Sequence, residues 1–417
     1  MINLRLPDPF YWYMVIGYYT LYIPFKPVWK SKENMKLRTN KFQKIICLCG
    51  MWILILIFSV TRVISFIATF FQTKHLKVGK YFAVIFHTIH FLRISKFFWI
   101  INKKQDEIKE MLEDLQSSQL VSRDQKIESK SMFWRKVGML YLVLINVSQL
   151  ILFVLTFIFF GARIGDYVPP NMQFEAAIVN GRIRFFADVN NTSIYKETYS
   201  KADIAYGVIE LALEFARLWE EYFTASLFFG AIPVTFWVAA KIFESYISEV
   251  TIPTMNQGGN QMDSGVFNPI RIIEEYETLK RVADSISSIW STMTIIWVLE
   301  MSICMVYHLN GAVSAYSTLF LVYNAINTAF LAVALIMMAE GCRIVKVFSK
   351  WLLSQNVWNQ FAENMHEFEW VLRDLQMGGI GIGCAGFFQI NYRLISQLMA
   401  FIVTFFVISF EEDGGAW

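Results

Sequence analysis

Charge is what this chain has least of. Only 17 % of its 417 residues are Asp, Glu, Lys or Arg, where a soluble domain carries about a quarter. Apolar residues make up 55 %, mean hydropathy is +0.42, and apolar runs of about 20 residues recur. A soluble globular domain is excluded and an all-α polytopic membrane protein is expected. The net charge of +3 is too small to imply a nucleic-acid partner. Cysteine is scarce too: Cys47, Cys49, Cys304, Cys342 and Cys384 lie mostly in or beside apolar runs. Without metal-ligand spacing among them, neither a disulfide framework nor a zinc site is expected. Pro7, Asp8 and Pro9 precede the first apolar stretch and Pro24 and Pro27 close it. With no strongly basic lead and no small-residue cleavage site, a cleavable signal peptide is not expected. Nucleophile–base pairs and cofactor fingerprints are missing as well, so neither an enzyme nor a cofactor is expected. The glycines at Gly378, Gly379, Gly381 and Gly383 lack the Lys-Ser/Thr and the strand of a phosphate loop. They read as a break between two helices.

What is present is a succession of spans. Phe10 to Phe25 is rich in Tyr and Trp, which favour the headgroup region, so an interfacial helix is expected, with a first spanning helix as the alternative. Seven basic residues from Lys26 to Lys44 lead to a first span over Ile45 to Phe71, with Arg62 at depth. The second, Tyr81 to Ile100, carries His87, His90 and Arg93 at three-residue spacing, a polar stripe that must face protein or water. Two histidines at i, i+3 could hold a metal, but no third ligand converges on them, and no metal site is expected. Asn102 to Lys136 is charged and reads as a cytosolic helical hairpin or extension. The third span is Val137 to Phe160. A polar loop over 161–205 follows, with overlapping sequons at Asn190 and Asn191, candidate glycosylation sites.

The fourth helix begins outside the bilayer, with Glu210, Glu214, Arg217 and Glu221 on one face, and its apolar continuation runs from Tyr222 to Ala240. A Gly-rich linker and a charged amphipathic segment over 270–288 lead to the fifth span, Ile289 to Leu309, with Glu300 mid-run. A tight turn is expected at Asn310-Gly311, then the sixth span, Ser314 to Met338. Arg343 to Leu375 is amphipathic and is expected to form one long helix, packed on other cytosolic helices or lying on the membrane. The last run, Leu394 to Phe410, contains no charged residue and ends in Glu411, Glu412 and Asp413. On a helix Thr404, Ile408 and Glu411 share a side. Two readings stand for it: one stave of a pore wall with an acidic mouth, or a lipid-facing anchor. Arg62 and Glu300 are intramembrane charges, candidate functional residues or members of structural ion pairs. Trp219, Tyr222, Tyr316 and Tyr323 are outer-half aromatics suited to a small organic ligand, or to packing.

Lys and Arg concentrate before the first span and after the second, fourth and sixth. The positive-inside rule then puts the N-terminus in the cytosol and the C-terminus outside, a seven-span chain inverted relative to a G-protein-coupled receptor. The organisation expected is a cytosolic or interfacial segment over 1–44, helices 1 to 6 over 45–338, a cytosolic anchor over 339–380 and the seventh helix over 381–417.

The stretch from Gly383 to Leu394, followed by Thr404 to Glu412, resembles the C-terminal region of the insect gustatory/odorant receptor superfamily. Its gustatory signature is Thr-Tyr, five hydrophobic residues, then Gln-Phe. Here Thr404 and the spacer remain, while Phe405, Glu411 and Glu412 replace Tyr, Gln and Phe. The resemblance implies a tetrameric, ligand-gated, non-selective cation channel for taste or chemical sensing. It implies a sensory-neuron plasma membrane, homomeric or related partner subunits, and contact with lipid and permeant cations. It puts the pore and gate at Thr404, Ile408, Glu411 and Glu412, an anchor at the cytosolic helix ends, and a ligand pocket among the outer halves of the second to sixth helices. A ring of carboxylates at the mouth would concentrate cations and make conductance acid-sensitive. A light-sensing relative and a non-conducting member are the alternatives.

Overall fold

The computed structural model describes residues 9–29, 35–72, 78–117, 125–159, 174–175, 177–179, 200–251, 269–313, 318–352, 365–376, 380–384 and 388–412. Among these the chain is almost entirely helical. Helix α1 (Pro9–Tyr19) is followed by an antiparallel hairpin, β1 (Lys26–Trp29) with β2 (Met35–Arg38), paired Lys26 to Arg38 through Trp29 to Met35. A short α2 (Lys41–Ile45), capped by the Asn40 side chain on the Phe42 N–H, runs through a π-helical turn (Ile46–Trp52) into α3 (Ile53–Gln72). Then come α4 (Val78–Lys103), α5 (Gln105–Ser117) and α6 (Gln125–Phe159). Helix α7 (Lys201–Ala225) starts at a capping box between Ser200 and Asp203 and passes through a second π-turn (Ser226–Ala231) into α8 (Ile232–Thr251). The chain continues with α9 (Pro269–Val313), α10 (Thr318–Leu352) and α11 (Met365–Gln376). A two-residue hairpin, β3 (Gly383–Cys384) with β4 (Phe388–Gln389), leads into α12 (Tyr392–Glu412).

Over its described residues, each stretch read as a span lies on a helix. Among the described residues five segments are long and apolar enough to cross a membrane: Lys41–Ile64, Ser129–Ile158, Lys201–Ser248, Ile272–Ile303 and Ala325–Leu352. α4 carries the His/Arg stripe, and α12 is apolar over its described stretch Tyr392–Phe405. α7 and α8 sit at the centre, packed on α3, α6, α9 and α10. α6 is peripheral and leaves Leu140, Val143, Leu144, Val147 and Ile151 exposed, as a lipid-facing helix would.

Three details differ from the sequence expectations. No turn forms at Asn310-Gly311: α9 stays helical to Val313. A single Gly within a long apolar helix costs only about 1 kcal/mol, which tertiary context overrides. The segment after Arg343 is not one helix from there, because α10 runs on to Leu352 and α11 starts at Met365, with 353–364 outside the described residues. One face of α1 packs into the core, which its composition did not show: Phe10, Tyr13 and Met14 are buried, with the ring of Phe10 6.0 Å from that of Trp290 in α9, while Trp12 and Tyr19 stay exposed. Beyond α1 the chain turns at Leu21, which takes a positive φ, and inserts Tyr22 into an aromatic stack. Tyr22 lies 4.4 Å from Phe223 and 5.3 Å from Trp52, and Trp52 lies 5.6 Å from Phe97. Each such pair contributes about 0.5–1.5 kcal/mol beyond area burial. The core therefore binds α1, α3, α4, α7 and α9 together on one side of the charged groups described next.

Candidate ligand-binding cavity

Three helices deliver charge to one buried point. On α4, His90 and Arg93 are three residues apart and share a face. Facing them are Glu220 on α7 and Glu300 on α9, and all four residues are at most 4 % exposed. The Arg93 guanidinium is forked onto Glu220, Nη1 to Oε1 at 2.6 Å and Nη2 to Oε2 at 3.2 Å, while its Nε donates to Glu300 Oε2. Its Nη2 also lies 2.9 Å from His90 Nδ1, which is 2.6 Å from Glu300 Oε1. The hydroxyl of Thr224, one turn beyond Glu220, donates to Glu220 Oε1 at 2.6 Å. Buried charges cost several kcal/mol each unless paired and hydrogen-bonded, and this cluster meets both conditions.

A second ladder runs along the same α7. Arg62 of α3 pairs with Glu214 at 3.2 Å, Glu214 accepts from Arg217 Nε at 2.8 Å, and Arg217 reaches Glu221. Arg62 and Arg217 both approach the ring of Phe58, at 5.4 and 5.7 Å.

Beside the buried cluster is a cavity of about 100 Å³. α4 brings His90 and Arg93 to its wall, α9 brings Trp297, Glu300, Met301 and Met305, and α10 brings Asn327, Thr328 and Leu331. Across it Gln149 of α6 donates to Asn327 Oδ1 at 2.9 Å. Ala225 and Phe229 line it from either side of the start of the second π-turn. A π-turn inserts an extra residue into the helical ladder and is frequent at functional sites. Phe229 and Trp297 meet edge to face at 5.7 Å, and Phe228 stacks on Trp297 at 4.9 Å, which holds the indole in place. The arrangement can hold a small molecule by an aromatic wall, two thioethers, the amides of Gln149 and Asn327 and the carboxylates of Glu221 and Glu300. Among the described residues no group of three or more His, Cys, Asp or Glu is placed to hold a metal ion.

The residues nominated from sequence fall in several places. Glu300 lines the cavity, and its partners are Arg93 and His90; Arg62 has Glu214. Trp219 and Tyr222 stand on α7 next to the site but not on the cavity wall. Trp219 is layered between Phe215 and Tyr222, both 5.8 Å away, and its Nε1 donates to the Thr20 carbonyl at 3.1 Å. Tyr222 donates to Asn146 Oδ1 at 3.1 Å. Tyr316, Asn190 and Asn191 lie outside the described residues, and Tyr323 is described only as part of α10. Thr404 and Ile408 are exposed on α12, and the Thr404 hydroxyl donates to the Ala400 carbonyl at 2.8 Å. Glu411 and Glu412 form the last turn of that helix. Sequence reasoning missed Glu220, Thr224, Gln149 and Asn327. For Glu220 a signal existed: its helical neighbours Leu213, Ala216 and Phe223 are all apolar, which marks a buried face.

Neither a protein-family model nor a curated protein matches the chain. Solved structures do. The insect olfactory receptor OR5 from Machilis hrabei aligns with a TM-score of 0.55 at 10 % identity, over 96 % of each chain. The same receptor in complex with eugenol aligns with a TM-score of 0.58 at 12 % identity, again over 96 % of each. The chain has the fold of an insect olfactory receptor, over nearly its whole length.

Proposed function

We propose that this protein is a chemoreceptor of the gustatory/odorant receptor superfamily, a tetrameric, ligand-gated, non-selective cation channel. It crosses the plasma membrane of sensory neurons seven times, with its N-terminus in the cytosol. The observation that carries the reading is the cavity between α4, α7, α9 and α10, in a fold whose counterpart was solved with the small molecule eugenol. α12 supplies the second support. Met399, Val403, Val407 and Ile408 are between 42 and 52 % exposed, an apolar face suited to neighbouring subunits and a central pore. In this reading Ile408 forms an apolar constriction with Thr404 one turn away, and Glu411 and Glu412 line the mouth. α11 and the adjoining ends of α9 and α10 are the anchor that holds subunits together.

The test is whole-cell current from cells expressing the chain, stimulated with sugars, bitter compounds, small volatiles and ultraviolet light. Cation current whose conductance or divalent permeation changes in Glu411→Gln and Glu412→Gln supports the pore. Stimulus-evoked current indifferent to both substitutions would remove the acidic mouth. No current to any stimulus from protein delivered to the cell surface would remove homomeric channel function.

A further inference from the structure

The cavity's charge is unbalanced in one direction. Arg93 spends its donors on its neighbours: Nε on Glu300, Nη1 and Nη2 on Glu220, and Nη2 also toward His90. Glu220 is thus matched as a fork by the guanidinium and closed off by Thr224. Glu221 on the cavity wall belongs to the other ladder, where Arg62 and Arg217 offset Glu214 and Glu221 one for one. In the buried cluster one guanidinium faces two carboxylates, and of these it is Glu300, paired with Arg93 and His90, that reaches the cavity wall. An anion entering here would meet two buried carboxylates behind an Arg already occupied. A cation would meet Glu300 on a wall shared with the rings of Trp297 and Phe229, surroundings that suit an ammonium. The rest of the wall, Met301, Met305 and Leu331, suits a short alkyl chain.

We propose that the cavity binds a small protonated alkylamine, its ammonium toward Glu300 and its alkyl part against Trp297 and the methionines. The inference rests on the reading of this cavity as the ligand site and specifies the chemical class it takes. Size narrows it further. Since a dry cavity of about 150 Å³ admits benzene, the space here suits a ligand of about four or five non-hydrogen atoms.

The test uses the full-length chain in lipid nanodiscs and titrates three molecules of similar size: propylammonium, 1-propanol and propionate. Binding is read by calorimetry at neutral pH and constant ionic strength. Propylammonium is expected to bind at least tenfold more tightly than 1-propanol, and propionate not measurably. Glu300→Gln is expected to bring amine and alcohol within about threefold of each other, a loss of at least about 0.7 kcal/mol of the 1.4 kcal/mol that a factor of ten represents. Because that variant removes one partner of a buried pair and so costs stability, a second variant is needed: Met305→Trp fills the cavity without touching the charges and is expected to abolish amine binding. If 1-propanol or propionate binds as well as the amine and Met305→Trp abolishes it, the amine inference falls while the cavity stands as a ligand site. If none of the three binds the wild-type chain, or Met305→Trp leaves binding unchanged, the cavity reading under the proposed function falls as well.

Discussion

At the scale of single residues, the buried cluster makes the strongest demand on the fold. Removing one member of a buried charge network leaves its partners uncompensated, at a cost of about 3–5 kcal/mol. Arg93→Met strands Glu220 and Glu300 together, so we expect a large loss of folded protein at the cell surface and a lower melting temperature in detergent. Replacing the network as a unit, Arg93→Met with Glu220→Gln and Glu300→Gln, is expected to recover a good part of that loss in the same melt. A triple variant no better than Arg93→Met would mean that the charges themselves, not their balance, hold the helices. The sequence pointed to half of this site. His90, Arg93 and Glu300 stood out because charges within apolar runs are conspicuous, whereas Glu220 hid beside Glu221 in a charged stretch. Gln149 and Asn327 could not have been found, since an uncharged amide mid-helix looks the same whether it faces a cavity or a neighbour. Which arginine meets which glutamate depends on contacts between residues 127 and 207 positions apart, and periodicity carries no such information.

At the scale of elements, the helices were legible because their apolar runs are long and their Lys/Arg flanks marked. The hairpin of β1 and β2, the two π-turns and the burial of α1 were not, since each is decided by what packs against it. Close approach between helices is one such decision. A Cβ on Gly341 of α10 would collide with the ring of Phe236 on α8, and one on Gly138 of α6 would lie 2.6 Å from Val238 Cγ2. Gly341→Ala should therefore destabilise by about 1–3 kcal/mol despite the better helix propensity of Ala. Phe236→Leu in the same chain should relieve part of that cost, which a double-mutant cycle on melting temperature would measure. An additive cycle would show that the ring is not what excludes the methyl group.

For the whole molecule, α12 touches α9, α10 and α4 and leaves Met399, Phe401, Val403, Val407 and Ile408 exposed. If that surface faces a shared pore, Ile408→Cys should render the current sensitive to a charged thiol reagent applied from the outside. A cysteine at Leu140, on the outward face of α6, should not. Conductance should also fall between neutral and mildly acid pH, as protons neutralise carboxylates crowded at Glu411 and Glu412, and the drop should vanish when both are Gln. Single-channel recording checks both, and an acid response that survives the double substitution would move the titrating group elsewhere. The full chain purified in mild detergent should run at the mass of four copies by native mass measurement.

α9 is one unbroken helix of 45 residues. About two-thirds of the way along, it presents Glu300 to the cavity; thirteen residues earlier, about 20 Å along the axis at 1.5 Å per residue, Ser287 Oγ accepts from the Gly383 N–H at 2.9 Å. That glycine opens the hairpin from which α12 departs, and further down the same rod Tyr276 holds Asp374 of α11 at 2.7 Å. A stiff rod does not absorb a push at one end. On the proposed reading, a ligand that shifts Glu300 would move a rod that also carries the base of the final helix, with the contacts at Ser287 and Tyr276 as its linkages to α12 and α11.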